Sequence, residues 1–241
     1  MRARRPAREG ASGPLPSPGV SAEGPPPAGG AAGSAYAERF VTESTEITTA
    51  RAAAGRLPGP PPVAPSVGAM LSVLAASVSA RHVVSIGSGG GVTGLWLLRG
   101  MRPDGVLTAL DSDAAQLRAA RTAFTEAGIP SSRTRMIFGT PAEVLPRLSP
   151  GAYDLVACSG PPRDYSQQLP GLLDLVHPGG TLICHGLLDG ARIADRTVRD
   201  PQTVAWRELA RAVREDESLL SAVLPVGAGL LLATKRPAAA R

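Results

Sequence analysis

The sequence predicts an α/β fold in which helices cover both faces of a largely parallel sheet. Short apolar runs rich in β-branched residues alternate with helical segments from residue 82 onward, which is the order that parallel sheets produce. Two apolar runs near the C-terminus, 221–226 and 229–234, are separated only by Gly227 and Ala228. Because so short a loop joins antiparallel strands, we expect the sheet to end in an antiparallel hairpin.

The composition limits the classes of protein to consider. The 241 residues are 43% hydrophobic, enough for one substantial core. The net charge of +5 comes from arginines interleaved with acidic residues, and only 3% of the chain is aromatic, so we expect no nucleic-acid partner. Since no apolar run reaches the roughly 18 residues of a membrane span, we expect no membrane association. Cys158 and Cys184 form neither a disulfide framework nor a C-x-x-C pair, which favours a cytoplasmic location.

The N-terminal extension differs from the rest of the chain. Residues 1–34 are mostly Pro, Gly, Ala and Ser, a composition that cannot bury enough apolar surface to offset chain entropy. We expect this extension to be disordered and residues 35–241 to form one domain. A first helix is predicted over residues 36–54 and is ended by the prolines of 57–65. Ser66 is the predicted cap of the second helix.

Periodicity and turn residues place the remaining elements. Further helices are predicted at 67–80, 92–101, 114–127, 142–148, 169–176 and 201–216. Strands are predicted at 83–86, 105–110, 135–138, 153–158 and 181–184, ahead of the two hairpin strands. Trp96 and Trp206 lie on predicted helices, where we expect core or interface positions.

A glycine cluster follows the first predicted strand. Gly87, Gly89, Gly90 and Gly91 occur within five positions, directly after the apolar run 83–86. Glycine permits positive φ and lets backbone N–H groups approach a ligand without a Cβ in the way. A strand, a glycine turn and a helix N-terminus together favour a nucleotide-type cofactor site, although an ordinary tight turn is the structural alternative.

Two cofactor patterns fit these glycines. Gly89-x-Gly91-x-x-Gly94 matches the dinucleotide fingerprint but begins two residues after the strand end. Gly87-x-Gly89-x-Gly91 begins at the strand end, a spacing seen in S-adenosylmethionine (SAM) sites. Asp111 lies 24 residues after Gly87 at the end of the next strand, where an acidic residue contacts ribose hydroxyls, unless it is merely a solvated loop residue. The C-terminal hairpin favours SAM, because dinucleotide dehydrogenase domains usually lack it.

From about Tyr36 to Lys235 the chain resembles class I SAM-dependent O-methyltransferases of the catechol and caffeoyl-CoA type, in their small bacterial branch. The resemblance rests on VVSIGSGGGVTGLWLLRGMRPDGVLTALD, GTPAEVLPRL, AYDLVACSG, LVHPGGTLICHGLLDGARIAD and ELARAVREDESLLSAVLPVGAGLLLATK. It implies a Rossmann-like, seven-stranded sheet of order 3-2-1-4-5-7-6 with the seventh strand antiparallel. It also implies SAM as cofactor, a small-molecule acceptor and a homodimer.

The resemblance implies a set of cofactor-binding residues. They are Val63, Ser85, Gly87, Ser88, Gly89, Gly91, Thr93, Asp111, Ser112, Pro141 and Ser159. Pro141 would lie near the adenine. The position of Ser85 is normally glutamate in this family, and a serine there keeps a hydrogen-bonding group but supplies no charge.

The metal-ligand positions depart from the family pattern. Members bind Mg²⁺ or a similar hard cation through an aspartate after the fourth strand and an Asp-Asn pair after the fifth. This chain has Ser159 at the first position and His185-Gly186 at the second. Because hard cations prefer carboxylate oxygens, we expect no divalent metal site of the family type.

Three hypotheses follow for the reaction centre. In the first, the protein methylates an oxygen of a small molecule without a metal, and His185 is the general base. In the second, the fold binds SAM but is catalytically silent and serves a regulatory or partner-binding role, with His185 an ordinary loop histidine. In the third, Cys158, Cys184 and His185 bind zinc, although buried cysteines commonly act as small hydrophobes.

Overall fold

The computed structural model describes residues 30–188 and 192–237. Its first helix begins at Gly30, so residues 30–34, expected to belong to the disordered extension, are helical. The rest of that predicted extension, residues 1–29, lies outside the described residues. None of the helices in the described part of the chain combines the length and apolar character that crossing a bilayer requires.

The described chain alternates helices and strands. The helices are α1 (Gly30–Phe40), α2 (Thr45–Ala54), α3 (Pro65–Ser77), α4 (Val92–Gly100), α5 (Ala114–Glu126), α6 (Pro141–Val144), α7 (Leu169–Leu175) and α8 (Pro201–Glu215). The strands are β1 (His82–Ile86), β2 (Val106–Asp111), β3 (Thr134–Phe138), β4 (Tyr153–Ser159), β5 (Val176–His185), β6 (Leu219–Leu224) and β7 (Leu230–Lys235).

These strands form one sheet with the order β3-β2-β1-β4-β5-β7-β6. Strands β1 to β5 pair in parallel, whereas β7 pairs antiparallel with both β5 and β6. The predicted fold class, strand order and antiparallel seventh strand are therefore confirmed. The β6–β7 loop is longer than predicted: it spans residues 225–229, since Pro225 has no N–H to donate to the ladder.

Two local predictions near the N-terminus are wrong. The single helix expected over 36–54 is two helices, α1 and α2, separated by residues 41–44. Ser66 does not cap the second helix, because that helix begins at Pro65 with Ala64 as its N-cap. Instead, the N–H of Ser66 donates to Glu38 Oε2 of α1 at 3.0 Å, and its hydroxyl donates to the other carboxylate oxygen. An acidic side chain from another helix thus takes the place of the expected cap.

The sheet separates two core layers. Helices α2 to α5 cover one face, where Val83 and Ala109 point, and we call this core the α2–α5 layer. Helices α6 to α8 cover the other face, where Val84 and Leu110 point, and this is the α6–α8 layer. Successive strand residues alternate between the layers, as the pleat of a strand requires. Trp96 and Trp206 are both 2% exposed, so both are core residues as predicted.

Candidate active site

The carboxyl ends of the parallel strands meet at one edge of the sheet, where open α/β sheets bind ligands. The register pairs Ile86 at the end of β1 with Leu110 of β2 and with Cys158 of β4. It also pairs Ser159 at the end of β4 with His185 at the end of β5. The structure therefore brings the predicted glycine turn, the end of β2, Ser159 and His185 to the same edge.

The first glycine of the turn passes very close to the end of β4. Gly87 has φ of +80°, and a Cβ at this position would lie 1.7 Å from the carbonyl oxygen of Ser159. Since no side chain can be accommodated there, Gly87 is required for the backbone of the turn to meet β4. This contact links the predicted cofactor turn directly to the strand end that carries Ser159.

The later glycines of the turn are explained by helix packing. A Cβ on Gly90 would lie 2.5 Å from the Cβ of Ala54 in α2. A Cβ on Gly91 would lie 2.9 Å from the Cβ of Ala123 in α5. The turn is therefore glycine-rich in part because two helices press against it. The local sequence indicates a tight turn and ligand approach as reasons for these glycines, whereas the packing reason depends on contacts that are distant in sequence.

Asp111 is held firmly at the end of β2. Its Oδ2 accepts hydrogen bonds from both the N–H and the hydroxyl of Ser88, each at 2.7 Å. Its Oδ1 accepts the N–H of Asp113 at 2.9 Å. The carboxylate is thus an organised part of the glycine turn rather than a solvated loop residue. Each carboxylate oxygen has two lone pairs, so Oδ2 is fully used by Ser88, whereas Oδ1 can still accept one further hydroxyl.

Two buried hydroxyls flank the turn without a hydrogen-bond partner in the described chain. Ser85 is 1% exposed on β1, and Thr93 is fully buried in the first turn of α4. A Cβ on Gly89 would lie 3.4 Å from Thr93 Oγ1, which places this hydroxyl against the turn. Buried polar groups nearly always have a partner. These hydroxyls therefore fit a polar ligand or a water molecule bound at the turn.

The remaining residues of the predicted cofactor set are more scattered. Ser112 is exposed directly after β2, and Pro141 is a buried residue that opens α6 just after β3. Val63 precedes α3 and is 2% exposed within the α2–α5 layer, so it is already a core residue. Ser112 and Pro141 lie just after the carboxyl ends of β2 and β3, whereas Val63 is buried in the α2–α5 layer.

His185 ends β5 with a neutral, partly buried imidazole. Burial lowers the pKa of this side chain. Its Nε2 is buried and has no hydrogen-bond partner in the described residues. A Cβ on Gly227 would lie 3.9 Å from that nitrogen and 2.5 Å from a methyl of Val67, so the ring faces the β6–β7 loop and the start of α3. A neutral imidazole with a free nitrogen can accept a proton.

The predicted zinc alternative is wrong. Cys158 and Cys184 are direct neighbours in the β4–β5 register and are both buried in the α6–α8 layer, where burial raises the pKa of the Cys158 thiol. His185 follows Cys184 in the same strand and therefore points to the opposite face. Across residues 30–188 and 192–237, no group of three or more His, Cys, Asp or Glu side chains is placed to hold a metal ion.

The residues at the family's metal-ligand positions do not fit a hard cation. Ser159 and His185 are paired neighbours at the strand ends, and Gly186 has no side chain. One hydroxyl and one imidazole are a poor ligand set for Mg²⁺, which requires oxygen ligands and is usually bound by carboxylates.

Sequence reasoning missed two residues beside this edge. Tyr165 follows β4 and packs edge-to-face on Trp206 of α8, with ring centroids 6.2 Å apart. Arg207 donates hydrogen bonds to four backbone carbonyls in the connection between β5 and α8. Nothing in the local sequence marks Tyr165 or Arg207, because their partners lie 9 to 41 positions away in the chain.

Comparison with known proteins agrees with this geometry. A family model described as O-methyltransferase matches residues 32–236. A protein of Mycobacteroides abscessus provisionally named an O-methyltransferase is 44% identical over 200 residues, which are 83% of this chain and 93% of that protein. A similarly named protein of Mycobacterium sp. (strain JLS) is 45% identical over 201 residues, 83% of this chain and 91% of its own.

Solved structures share the fold. A crystal structure of a protein from Corynebacterium glutamicum is 31% identical with a TM-score of 0.78, covering 86% of this chain and 96% of that one. The O-methyltransferase TomG from Streptomyces achromogenes, in complex with SAM, is 23% identical with a TM-score of 0.76, covering 84% and 94%. The dinucleotide alternative is not supported by any of these similarities. The chain belongs to the O-methyltransferase family, as its sequence motifs predict.

Proposed function

We propose that the protein transfers the methyl group of SAM to a hydroxyl oxygen of a small molecule, without a divalent metal ion, and that His185 is the general base. The observation that carries this proposal is the position of His185. His185, whose Nε2 has no partner in the described residues, is the neighbour of Ser159 in the β4–β5 register. The carbonyl of Ser159 contacts Gly87 in the glycine turn, and Asp111 holds that turn through Ser88. A proton acceptor and a cofactor turn thus share one strand edge.

The residues at the turn fit SAM. Asp111 Oδ1 would accept a ribose hydroxyl, and the buried hydroxyls of Ser85 and Thr93 would hydrogen-bond polar atoms of the cofactor. When bound, SAM supplies a sulfonium-linked methyl group that a nucleophile can attack. The structure of TomG with SAM supports this assignment because that protein shares the fold.

The chain's own contribution to the reaction is positioning and proton transfer. Holding the acceptor oxygen in line with the methyl group converts a bimolecular step into an effectively unimolecular one. An acceptor that enters between the β6–β7 loop and the start of α3 would reach His185 Nε2, which would take the hydroxyl proton as the oxygen attacks. The imidazolium would lose that proton once the product has left and water can reach the ring. Because burial lowers the pKa of His185, the base is neutral at physiological pH, and the rate should decline only as the pH falls through that lowered pKa.

Titration of SAM and S-adenosylhomocysteine by calorimetry tests the cofactor and the metal together. We expect micromolar binding that is the same in EDTA and after addition of Mg²⁺. A marked strengthening by Mg²⁺ would show that other oxygens of the chain supply a metal site. Absence of binding in both conditions would refute the cofactor assignment.

The His185→Gln variant tests the base. With radiolabelled SAM and a panel of phenols and catechols as acceptors, we expect kcat to fall by about 10²- to 10⁴-fold, the usual contribution of a general base. SAM affinity should stay unchanged. His82→Gln is the matched control, since His82 is exposed at the opposite end of the sheet. SAM binding without turnover of any acceptor would favour the silent-protein hypothesis instead.

We extend the proposal to location and assembly. The two cysteines are free and buried, which suits a reducing cytoplasm. The family resemblance supports a homodimer. Light scattering coupled to gel filtration would measure the mass, and a monomer at micromolar concentration would refute the assembly.

A further inference from the structure

We infer that Trp206 and Arg207 of α8 are positioning residues that hold the two loops bordering the acceptor, so that they control acceptor binding but not SAM binding. This inference rests on the proposed function, because it assigns the ends of β4 and β5 to the acceptor. These two strand ends carry Ser159 and His185. The loops that leave them are therefore the segments nearest to a group attacked at this edge.

The guanidinium group of Arg207 donates hydrogen bonds to four backbone carbonyls in the connection between β5 and α8. Its Nε donates to the carbonyl of Ile193 at 3.0 Å, and its Nη1 donates to that of Val198 at 2.7 Å. Its Nη2 donates to the carbonyls of Arg192, at 3.0 Å, and Asp195. A guanidinium presents five donors in a fixed planar fork, which a lysine ammonium cannot reproduce. Arg207 therefore sets the path of residues 192–198.

The same connection is anchored where it leaves β5. The N–H of Gly186, next to His185, donates to the carbonyl of Gly229 at 2.8 Å, and the N–H of Leu188 donates to that of Ala228 at 2.8 Å. Residues 186–188 are thus tied to the β6–β7 turn, and residues 192–198 are tied to Arg207.

Trp206 contacts both the loop after β4 and the loop after β5. It is 2% exposed and packs edge-to-face on Tyr165, which lies six residues after Ser159. On its other side, a Cβ on Gly186 would lie 3.3 Å from Trp206 Cζ2. The indole thus separates the loop after β4 from the start of the loop after β5 at a fixed distance. Adjacent residues of one helix therefore hold both loops.

Three residues of the proposed cofactor set are independent of this arrangement. Ser88, Thr93 and Asp111 belong to β1, β2, α4 and their connections, and none of their hydrogen bonds involves α8. Loosening the loops should therefore change acceptor binding while leaving SAM binding intact. Misplacement of a reacting group by about 1 Å can cost roughly 100-fold in rate.

The test compares Arg207→Lys with Arg214→Lys. Arg214 lies on the same helix and is 76% exposed, with its ion pair to Glu215 at 3.9 Å, so it is a matched control. We expect Arg207→Lys to raise the acceptor KM about tenfold, with a smaller change in kcat, while the SAM dissociation constant stays within about twofold. Arg214→Lys should change neither quantity. Equal losses of SAM and acceptor affinity in Arg207→Lys would overturn the inference.

A second measurement does not depend on turnover. Trypsin cleaves after arginine, and Arg196 and Arg199 are exposed in the loop that Arg207 holds. In the presence of saturating S-adenosylhomocysteine, cleavage at these two bonds, located by mass spectrometry, should be several-fold faster in Arg207→Lys than in the wild type. Unchanged cleavage would overturn the inference even if no acceptor is ever methylated. Failure of the wild type to methylate any acceptor would contradict the proposed function separately.

Should Arg207→Lys fail to fold, Trp206→Phe keeps an aromatic ring against Tyr165 but removes the part of the indole that contacts Gly186. We expect a smaller rise in acceptor KM than for Arg207→Lys, again without loss of SAM affinity. An acceptor KM equal to that of the wild type would count against a positioning role for α8.

Discussion

The two ends of the sheet differ in whether their polar groups have hydrogen-bond partners. At the amino end, Asp154 Oδ2 accepts the N–H groups of Arg81 and His82, each at 2.8 Å, and Oδ1 contacts His177 Nε2 at 3.1 Å. One carboxylate thereby connects β1, β4 and β5 and satisfies two backbone donors. At the carboxyl end, Ser85 Oγ, by contrast, is buried with no partner in the described residues.

This contrast shows where the fold gains stability and where it keeps the capacity to bind a ligand. A buried polar atom without a partner costs about 1–3 kcal/mol. Thr93 Oγ1 and His185 Nε2 add to this cost at the carboxyl end. A ligand that supplies the missing partners binds the folded state and stabilises it. The amino end has paired its polar groups with one another, whereas the carboxyl end keeps buried polar atoms with which a ligand could pair.

The largest effect is expected from Asp111→Ala. Removing the charged group proposed to accept a ribose hydroxyl should weaken SAM binding about 100-fold, since a hydrogen bond to a charged group contributes about 1.5–3 kcal/mol. Calorimetric titration of SAM measures this loss. Asp113→Ala is the control, because Asp113 caps α5 through the N–H groups of Ala115 and Gln116 and should affect stability alone. A SAM affinity within threefold of the wild type in Asp111→Ala would remove Asp111 from the cofactor site.

Asp154→Ala is expected to lower stability without changing SAM affinity. The substitution leaves the N–H groups of Arg81 and His82 without their acceptor, which should lower the free energy of unfolding by about 2–3 kcal/mol. Denaturant unfolding measures the loss, and SAM affinity should not change. The control is Asp104→Ala, because the ion pairs of the Asp104 carboxylate with Arg81 and Arg102 are exposed. A loss of SAM affinity in Asp154→Ala would show that the two ends are coupled.

Sequence patterns predicted the sheet well because its determinants are local. Runs of β-branched residues mark strands, loop length decides whether strands are antiparallel, and the end of a strand places Asp111. The face on which His185 lies was also predictable, since it follows Cys184 in one strand and the side chains of a strand alternate. The zinc hypothesis overlooked that alternation.

Contacts between distant segments were beyond such patterns. Glu38 binds Ser66 across 28 positions, and the helix boundary there could not be derived from the local cap rule. The start of β5 at Val176 was missed because Pro178, Gly179 and Gly180 disfavour strand structure locally, and pairing with β4 overrides that preference. The cofactor residues follow a local motif, whereas the acceptor loops depend on tertiary contacts.

The smallest expected effect is a pH-dependent contribution of His177 and Asp154, at the amino end of the sheet, to the free energy of unfolding. The hydrogen bond between His177 Nδ1 and the carbonyl of Pro178, with a further bond to Asp154, raises the pKa of His177. For Asp154, burial acts to raise the pKa, but hydrogen bonds from His82, His177 and Arg81 outweigh it and lower the pKa. The protonated imidazole donates from both nitrogens, whereas the neutral ring can donate from only one.

His177→Gln should therefore destabilise the protein only at mildly acidic pH. A group whose pKa is raised by folding contributes stability below its unfolded pKa, about 6.5, and that contribution is lost as the pH rises through the folded pKa. Asp154, with a lowered pKa, contributes above about pH 3.9 and loses its contribution as the pH falls through its folded pKa. The pair thus acts between roughly pH 4 and 6.5.

Because the His177 side chain is 39% exposed, solvent screening limits the expected loss to about 0.5 kcal/mol at pH 5.5, and we expect none at pH 9. Urea unfolding of wild type and His177→Gln at the two pH values measures the difference. Equal destabilisation at both pH values would mean that packing, rather than the charge of the imidazolium, is what His177 contributes. SAM affinity should be the same in both proteins at either pH, because this pair lies at the end of the sheet opposite the proposed cofactor site.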